Sequence, residues 1–194
     1  MLGVCLVCPA PVRVGGRGRP QVYCSDACRK RDRRSRELPR EMTSRGRWVR
    51  WALVPRRGRL TKVPLTLAGR HASSTDATTW ATYSDARASK VGDGMGFVLG
   101  DGIGCIDLDG CLDEKGRPSE FAQKVLAACP ATFIEVSQSG RGLHIFGLLP
   151  EAPGRAREGV EVYSAGRFIA MTGRRWGSSP RLLADLSKVR SMLL

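Results

Sequence analysis

Gly104-Cys105-Ile106-Asp107-Leu108-Asp109 reads as a β-strand that divides its residues between two environments. Successive side chains in a strand alternate faces, so Asp107 and Asp109 point one way while Ile106 and Leu108 point into the opposite layer. The sheet that holds this strand therefore has an apolar face to bury and an acidic group to accommodate. Two neighbouring carboxylates repel each other unless a cation sits between them, and hard oxygen donors of this kind suit Mg²⁺ or Mn²⁺. Taken alone, Asp-x-Asp-Gly also fits a solvated turn or a fragment of a calcium loop.

Working outward, Phe97-Val98-Leu99 lies before the strand and Gly100-Asp101-Gly102 between them, a pattern that predicts a β-hairpin delivering the carboxylate pair. The glycines do not match the Gly-x-Gly-x-x-Gly pattern at a helix start, which argues against a dinucleotide site. Pro118 to Cys129 carries Phe121, Ala122, Val125, Leu126 and Cys129 at helical spacing. Thr132 to Val136 and Leu143 to Phe146 read as strands joined by Ser137-Gln138-Ser139-Gly140-Arg141-Gly142. Val160 to Tyr163 and Arg167 to Thr172 read as a second hairpin turned by Ser164-Ala165-Gly166, and Leu182 to Leu194 as a closing helix. Upstream, Trp48 to Val54 predicts a strand, Gly58 and Pro64 punctuate a hairpin-like region holding Lys62, and Thr75 or Asp76 caps a helix reaching Ala88. Strands dominate, with a few helices, which gives an α+β domain over residues 47–194. Trp48, Trp51 and Trp80 are expected in the core, whereas Trp176, amid Arg174 and Arg175, is the better candidate for stacking on a base.

The charge of this 194-residue chain is uneven. Its net +14 lies mainly in residues 1–60, which hold 16 Lys/Arg against 4 Asp/Glu, while residues 61–194 hold 16 against 14. Such an excess favours a polyanion, nucleic acid before membrane, since no apolar stretch of about 20 residues accompanies it. Cys5-x-x-Cys8 and, fifteen residues later, Cys24-x-x-x-Cys28 enclose a Gly-, Pro- and Arg-rich segment too poor in apolar residues to form a core. A tetrahedral Cys₄ site holding a structural Zn²⁺ would supply the missing stabilisation, and with four cysteines no open position remains for catalysis. Cys105, Cys111 and Cys129 lack pair spacing and are expected to be packing residues. Ser25 and Asp26 suit the start of a helix over Ala27 to Leu38 that displays Arg29, Lys30, Arg31, Arg33, Arg34 and Arg36, a candidate DNA-binding surface. The expected organisation is a zinc module at 1–38, a linker at 39–46 and the main domain at 47–194. Met1-Leu2-Gly3-Val4-Cys5 has no charged start and no sufficiently long apolar run, so a cytoplasmic setting is expected.

The order of Ile106-Asp107-Leu108-Asp109-Gly110-Cys111, then Ser137-x-Ser139-Gly140-Arg141-Gly142-Leu143-His144, then Gly159-Val160-Glu161-Val162-Tyr163 resembles the archaeo-eukaryotic primase superfamily, specifically the short primase-polymerase domains of phages and plasmids. Gly166-Arg167-Phe168, Thr172-Gly173, Lys62-Val63-Pro64, Thr79-Trp80 and Gly96 to Leu99 extend the likeness over most of residues 47–175, and Tyr23 to Arg29 is similar to a treble-clef zinc finger. The resemblance implies an RRM-like sheet core with an α/β N-terminal part, and DNA-templated nucleotidyl transfer in phage or mobile-element replication. It implies that Asp107, Asp109 and Glu161 hold two Mg²⁺ or Mn²⁺ ions, about 3.5–4 Å apart in two-metal sites generally. It further implies that His144 contacts the incoming nucleoside triphosphate. Ser137, Ser139 and Arg141, with the backbone N–H groups of Gly140 and Gly142, could then form an anion-binding turn, and Lys62 and Arg167 could touch phosphate or template. Two departures stand out: Gly142 where relatives more often have serine, and Glu161 where many have Asp. The implied partners are a single-stranded DNA template, nucleoside triphosphates and a separate replicative helicase, since no Gly-x-x-x-x-Gly-Lys-Ser occurs; the zinc module could choose a start site or hold the primer end. Two other readings stay open: a non-catalytic zinc-finger DNA-binding accessory protein, and a metal-dependent sugar-nucleotide transferase built on Asp107 and Asp109.

Overall fold

The structure is a computed structural model that describes all residues except 1, 6, 7, 9, 14–20, 36, 37, 57 and 158, and leaves out the side chains of 2, 4 and 31–35 as well. The chain divides into two compact units, residues 1–37 and residues 38–194.

In the first unit, β1 (Leu2–Val4) pairs antiparallel with β2 (Pro11–Arg13), and the Cys5 N–H donates to the Ala10 carbonyl to close the knuckle between them. Helix α1 (Asp26–Ser35) starts where the Ser25 hydroxyl accepts from the Cys28 N–H, a cap that also fixes Cys28 in the first turn. The buried residues here are Cys5, Val12 and Cys28, with Cys8, Tyr23 and Cys24 packed against them.

The second unit begins earlier than expected. Residues 39–46, expected as a linker, include α2 (Arg40–Thr43), whose Met42 is fully buried and accepts at its carbonyl from the Trp48 indole N–H. Leu38 is buried in the same cluster, so the apolar spacing of Leu38 and Met42 binds this stretch to the larger unit. Two antiparallel sheets follow. One has the order β11-β5-β3-β4, formed by β3 (Trp48–Arg56), β4 (Arg59–Leu65), β5 (Gly94–Val98) and β11 (Phe168–Met171). The other has the order β7-β8-β6-β10-β9, formed by β6 (Ile103–Leu108), β7 (Ile134–Val136), β8 (Leu143–Leu148), β9 (Arg155–Arg157) and β10 (Val160–Tyr163). This is an α+β arrangement of the kind expected.

Both expected hairpins around the acidic strands are crossings between sheets. Gly100-Asp101-Gly102 does turn tightly, with Asp101 and Gly102 at positive φ, yet β5 before it pairs with β3 and β11 while β6 after it pairs with β8 and β10. Ser164 to Gly166 likewise carries the chain from β10 in one sheet to β11 in the other. The helix expected from Thr75 to Ala88 is broken: Asp76 caps a 3-10 turn at Ala77–Thr79, Ala81 then bridges to Trp48, and Thr82 caps α3 (Tyr83–Ala88). The backbone of Ala81 exchanges hydrogen bonds with Trp48, a pairing that a continuous helix would forgo.

Alternation along β6 separates two cores. Ile106 and Leu108 join Leu143, Ile145, Val160 and Val162 against α4 (Glu120–Ala128) and α5 (Ser187–Leu193), through Val125, Val189 and Leu193. Ile103 and Cys105, on the other face, join Phe146 and Phe133 with Trp48, Phe97, Ile169 and Met171 of the second sheet. Each fully buried aromatic or aliphatic side chain here contributes about 1.5–3 kcal/mol. Asp107, two residues beyond Cys105 on the same face, thus lies where the packing between the sheets gives way to a cleft. Among the described residues no helix is long and apolar enough to cross a membrane.

Candidate active site and metal groups

The five-stranded sheet sets four polar side chains in one row. Register pairs Glu135 on β7 with His144 on β8, His144 with Asp107 on β6, and Asp107 with Glu161 on β10. Directly opposed residues of an antiparallel pair share a face, with Cβ atoms about 4.5–5.5 Å apart. Asp109 follows the end of β6, exposed, held by its N–H to the Gly159 carbonyl. One carboxylate oxygen from each of Asp107, Asp109 and Glu161 lies within 4.8 Å of the others. The Asp107 Oδ1 is buried without a hydrogen-bond partner, and the His144 Nε2 stands 3.8 Å from it. Burial pushes the Asp107 pKa up, the neighbouring His144 opposes this, and Asp109 and Glu161 raise it further. An orphaned carboxylate oxygen among two further carboxylates is what a divalent cation would satisfy, and the all-oxygen donor set fits Mg²⁺ or Mn²⁺ rather than zinc.

Opposite this row lies the second sheet. A cleft of about 530 Å³ is lined by Asp107 and His144 on one side and by Lys62, Ser74, Arg167 and Phe168 on the other. That volume suits a small-molecule ligand. Lys62 is near enough to Asp107 to lower its pKa. Arg167 leaves the Gly166 turn with its guanidinium 4.6 Å from the centre of the Tyr163 ring and 3.6 Å from the Glu161 Oε2. A second cleft, about 580 Å³, lies among Arg155, Arg157 and Arg190 on β9 and α5, and no Asp, Glu or His side chain lines it among the described residues.

The structure thus brings together Asp107, Asp109, Glu161, His144, Lys62 and Arg167. It does not bring the glycine turn into the cleft lining, and it corrects one expectation about it. The Gly140 N–H donates to the Ser137 carbonyl and the Gly142 N–H to the Ser137 hydroxyl, so both donors expected for phosphate are engaged within the turn. The Ser137 hydroxyl also lies 3.1 Å from that of Ser139, which accepts from the Arg141 N–H; Arg141 itself is exposed. Gly142 is required by close approach: a Cβ there would lie 2.8 Å from the Leu108 carbonyl oxygen and 2.9 Å from the Ser137 Oγ. Trp176, expected to stack on a base, is partly buried and packs against the core beside α4 and α5.

Glu135 is the residue that sequence reasoning missed. It is fully buried; its carboxylate accepts from the Gly173 N–H at 2.8 Å and the Thr172 N–H at 3.2 Å, and its Oε1 lies 3.0 Å from the His144 Nδ1. A signal was present: a six-residue turn after Val136 and before Leu143 places Glu135 directly across from His144.

In the first unit the four sulfurs of Cys5, Cys8, Cys24 and Cys28 lie within 4.8 Å of one another, so the group could bind zinc. Hydrogen bonding to Cys28 and then to Cys8 pushes the Cys24 thiol up to about 12. Arg29 and Lys30 are exposed on α1, with Arg29 3.3 Å from Asp26. Arg36 lies outside the described residues, as do the side chains of Arg31, Arg33 and Arg34.

No family model matches the chain. It is 35% identical over 153 residues to a protein named DNA primase-polymerase from Nitratiruptor phage NrS-1, a match that covers 71% of this chain and 21% of that protein. The chain therefore spans about one fifth of the length of the relative it matches, and the likeness supports a primase-polymerase relationship.

Proposed function

We propose that residues 38–194 form the catalytic unit of a primase-polymerase that joins nucleoside triphosphates into short primers on single-stranded DNA, in the replication of a phage or other mobile element. The observation that carries the proposal is the orphaned Asp107 Oδ1 within a three-carboxylate group, facing a cleft whose other wall supplies Lys62 and Arg167. Asp107, Asp109 and Glu161 would hold the divalent ions, which when bound would activate a primer 3′-hydroxyl and neutralise the triphosphate and departing pyrophosphate. His144 turns its Nε2 toward the same cleft, where it would contact the incoming triphosphate. Lys62 and Arg167 bring positive charge from the opposite wall, and this two-sided arrangement orients a polyanion between the sheets. Ser139 and Arg141, exposed on the glycine turn, would act through their side chains rather than through the engaged backbone, while Ser137 is buried and holds the turn together.

In this reading the Cys₄ unit is a structural zinc module, and its basic helix holds template phosphate through Arg29 and Lys30 together with Arg31, Arg33, Arg34 and Arg36. Unwinding falls to a separate helicase. The relationship to a protein named DNA primase-polymerase supports the reading. Incubation with single-stranded DNA, labelled nucleotides and Mn²⁺ tests it: wild type yields oligonucleotide product, and Asp107→Ala combined with Asp109→Ala yields none. Equal product from the double variant, or no product from wild type, would sink the enzymatic reading. Removal of residues 1–37 is expected to change template choice or initiation while leaving nucleotide binding intact, and unchanged initiation would overturn the role given to the zinc module.

A further inference from the structure

From the contacts of one buried carboxylate we infer that Glu135 is the positioning residue of the nucleotide cleft, fixing the ring of His144 and the chain segment after β11 at the same time. The inference rests on the catalytic reading above for its consequence, though not for its geometry. Glu135 is fully buried on a three-residue strand among Ile134 and Val136, a place where an ionised side chain survives only if every lone pair finds a donor. The Thr172 N–H donates to both oxygens and the Gly173 N–H to Oε2, while the His144 Nδ1 stands 3.0 Å from Oε1, where a proton on that nitrogen completes the set of donors.

Two consequences follow. First, a carboxylate can only accept, so the proton of the His144 imidazole is held on Nδ1 and the ring is oriented with Nε2 toward Asp107 and the cleft. Second, Thr172 and Gly173 continue directly from β11, which belongs to the other sheet and carries Phe168 to Ala170 on the opposite wall of the cleft. The segment is tied to β7 twice more, by the Thr172 hydroxyl on the Val136 carbonyl and by the Val136 N–H on the Arg174 carbonyl. One carboxylate thus sets the orientation of a group on one wall and the anchorage of the other. Gly173, at a positive φ of 65°, lets two successive backbone N–H groups converge on it.

Glutamine keeps the shape of Glu135 but replaces one acceptor with a donor. If its NH₂ faces Thr172 and Gly173, donors oppose donors and the anchorage is lost. If it faces His144, Nδ1 must become the acceptor and the proton moves to Nε2. Neither orientation preserves both functions, so Glu135→Gln is expected to raise the KM for nucleotide about tenfold or more, the usual scale for losing a residue that orients a liganding histidine. The variant kcat should fall less than that. With the imidazole gone, the introduced glutamine can turn its NH₂ to the vacated side and keep its oxygen on the Thr172 and Gly173 N–H groups, so adding Glu135→Gln to His144→Ala should change nucleotide KM by less than about twofold, whereas a merely structural role would make the two effects multiply.

The chain has only two histidines, His71 and His144, so a His71→Gln variant leaves one imidazole to observe. In that background ¹⁵N NMR of the free, otherwise wild-type protein should show a hydrogen-bonded Nδ1–H at His144, shielded from exchange with water. The signal should vanish or move to the other nitrogen in Glu135→Gln. An unprotonated Nδ1 in the protein with Glu135 intact, or an unchanged His144 spectrum in Glu135→Gln, overturns the inference even if the variant folds poorly, because the first observation needs no variant at position 135. If the chain incorporates no nucleotide, the catalytic reading fails while the NMR comparison still decides the role of Glu135.

Discussion

In residues 1–37 the described buried set is Cys5, Val12 and Cys28, with three more side chains leaning on it; residues 38–194 bury Trp48, Trp51, Phe97, Phe133 and Phe146 outright. The small unit gathers sulfur where the large one gathers hydrocarbon. An ion held by the sulfurs would supply stability that Cys5, Val12 and Cys28, the buried residues among those described, are too few to give. The large unit has the reverse character: two apolar cores hold it, and the cluster of Asp107, Asp109 and Glu161 is a cost that those cores absorb. Metal should therefore be a condition of folding in the first unit and a condition of chemistry in the second.

The largest expected effect is the removal of zinc. All four tryptophans, Trp48, Trp51, Trp80 and Trp176, lie in the second unit, so their fluorescence reports on that unit alone, and a Co²⁺-thiolate absorption band reports on the first. Chelation should unfold residues 1–37, since structural zinc binding is worth about 10–16 kcal/mol in small zinc modules. The tryptophan melting curve should stay within a degree or two. Amide hydrogen exchange that remains slow in residues 21–35 after chelation would break the comparison from its first side.

Next comes Phe97→Ala, which attacks the other side. Phe97 is fully buried, and its ring meets Trp48 edge-on with centroids 5.1 Å apart. Removing it should cost about 3–5 kcal/mol, a large part of the stability of a typical domain. The urea midpoint by tryptophan fluorescence should fall sharply while the Co²⁺ band is unaffected. A matching loss of the band would show that the two units do not fold independently.

How much of this was legible in the sequence differs between the two units for the same reason. Cys5, Cys8, Cys24 and Cys28 declare themselves by spacing, because a tetrahedral site fixes the pattern of its ligands whatever surrounds them. In the second unit, alternation gave the face on which Asp107 and Asp109 lie and the opposite face on which Ile106 and Leu108 are buried. Gly100-Asp101-Gly102 and Ser164-Ala165-Gly166 announced reversals correctly but could not say that the strands on either side join different sheets, since turn chemistry is local and sheet membership is not. The break at Trp80 and Ala81 has the same origin, a bridge to Trp48 more than thirty residues away. Glu135 stayed hidden among apolar neighbours because its partners at positions 172 and 173 are backbone groups, which leave no mark in a sequence.

Smaller in effect is Gly142→Ala. The new methyl would press on the Leu108 carbonyl and the Ser137 hydroxyl, and overpacking of this kind costs about 1–3 kcal/mol. The Tm should drop, and the loss should be relieved in part by Ser137→Gly, which removes one of the two obstacles. No relief would mean that the Leu108 carbonyl alone sets the limit. Either way the effect belongs to the second unit and should leave the Co²⁺ band untouched.

The smallest effect carries the opposite sign, and it tests the claim that the carboxylate cluster is a cost to the fold. Burial raises the pKa of Asp107, so the folded protein holds this proton more tightly than the unfolded chain does. The penalty is absent below the ordinary value of 3.8, grows as pH rises through the interval up to the raised native value, and is complete above it. Asp107→Asn removes the charge at nearly constant shape, and at neutral pH it should raise the Tm of the metal-free protein by about 2–4 °C, the shift that about 1 kcal/mol gives in a domain of this size. Its primer synthesis should be lost. Mn²⁺ should reverse the order of stability, since an ion that binds only the folded wild type stabilises it by mass action and has little hold on the asparagine variant. A variant that is less stable than wild type without metal would mean that Asp107 serves the fold as well as the cation, and that the division between a unit held by metal and a unit that only uses it is too sharp.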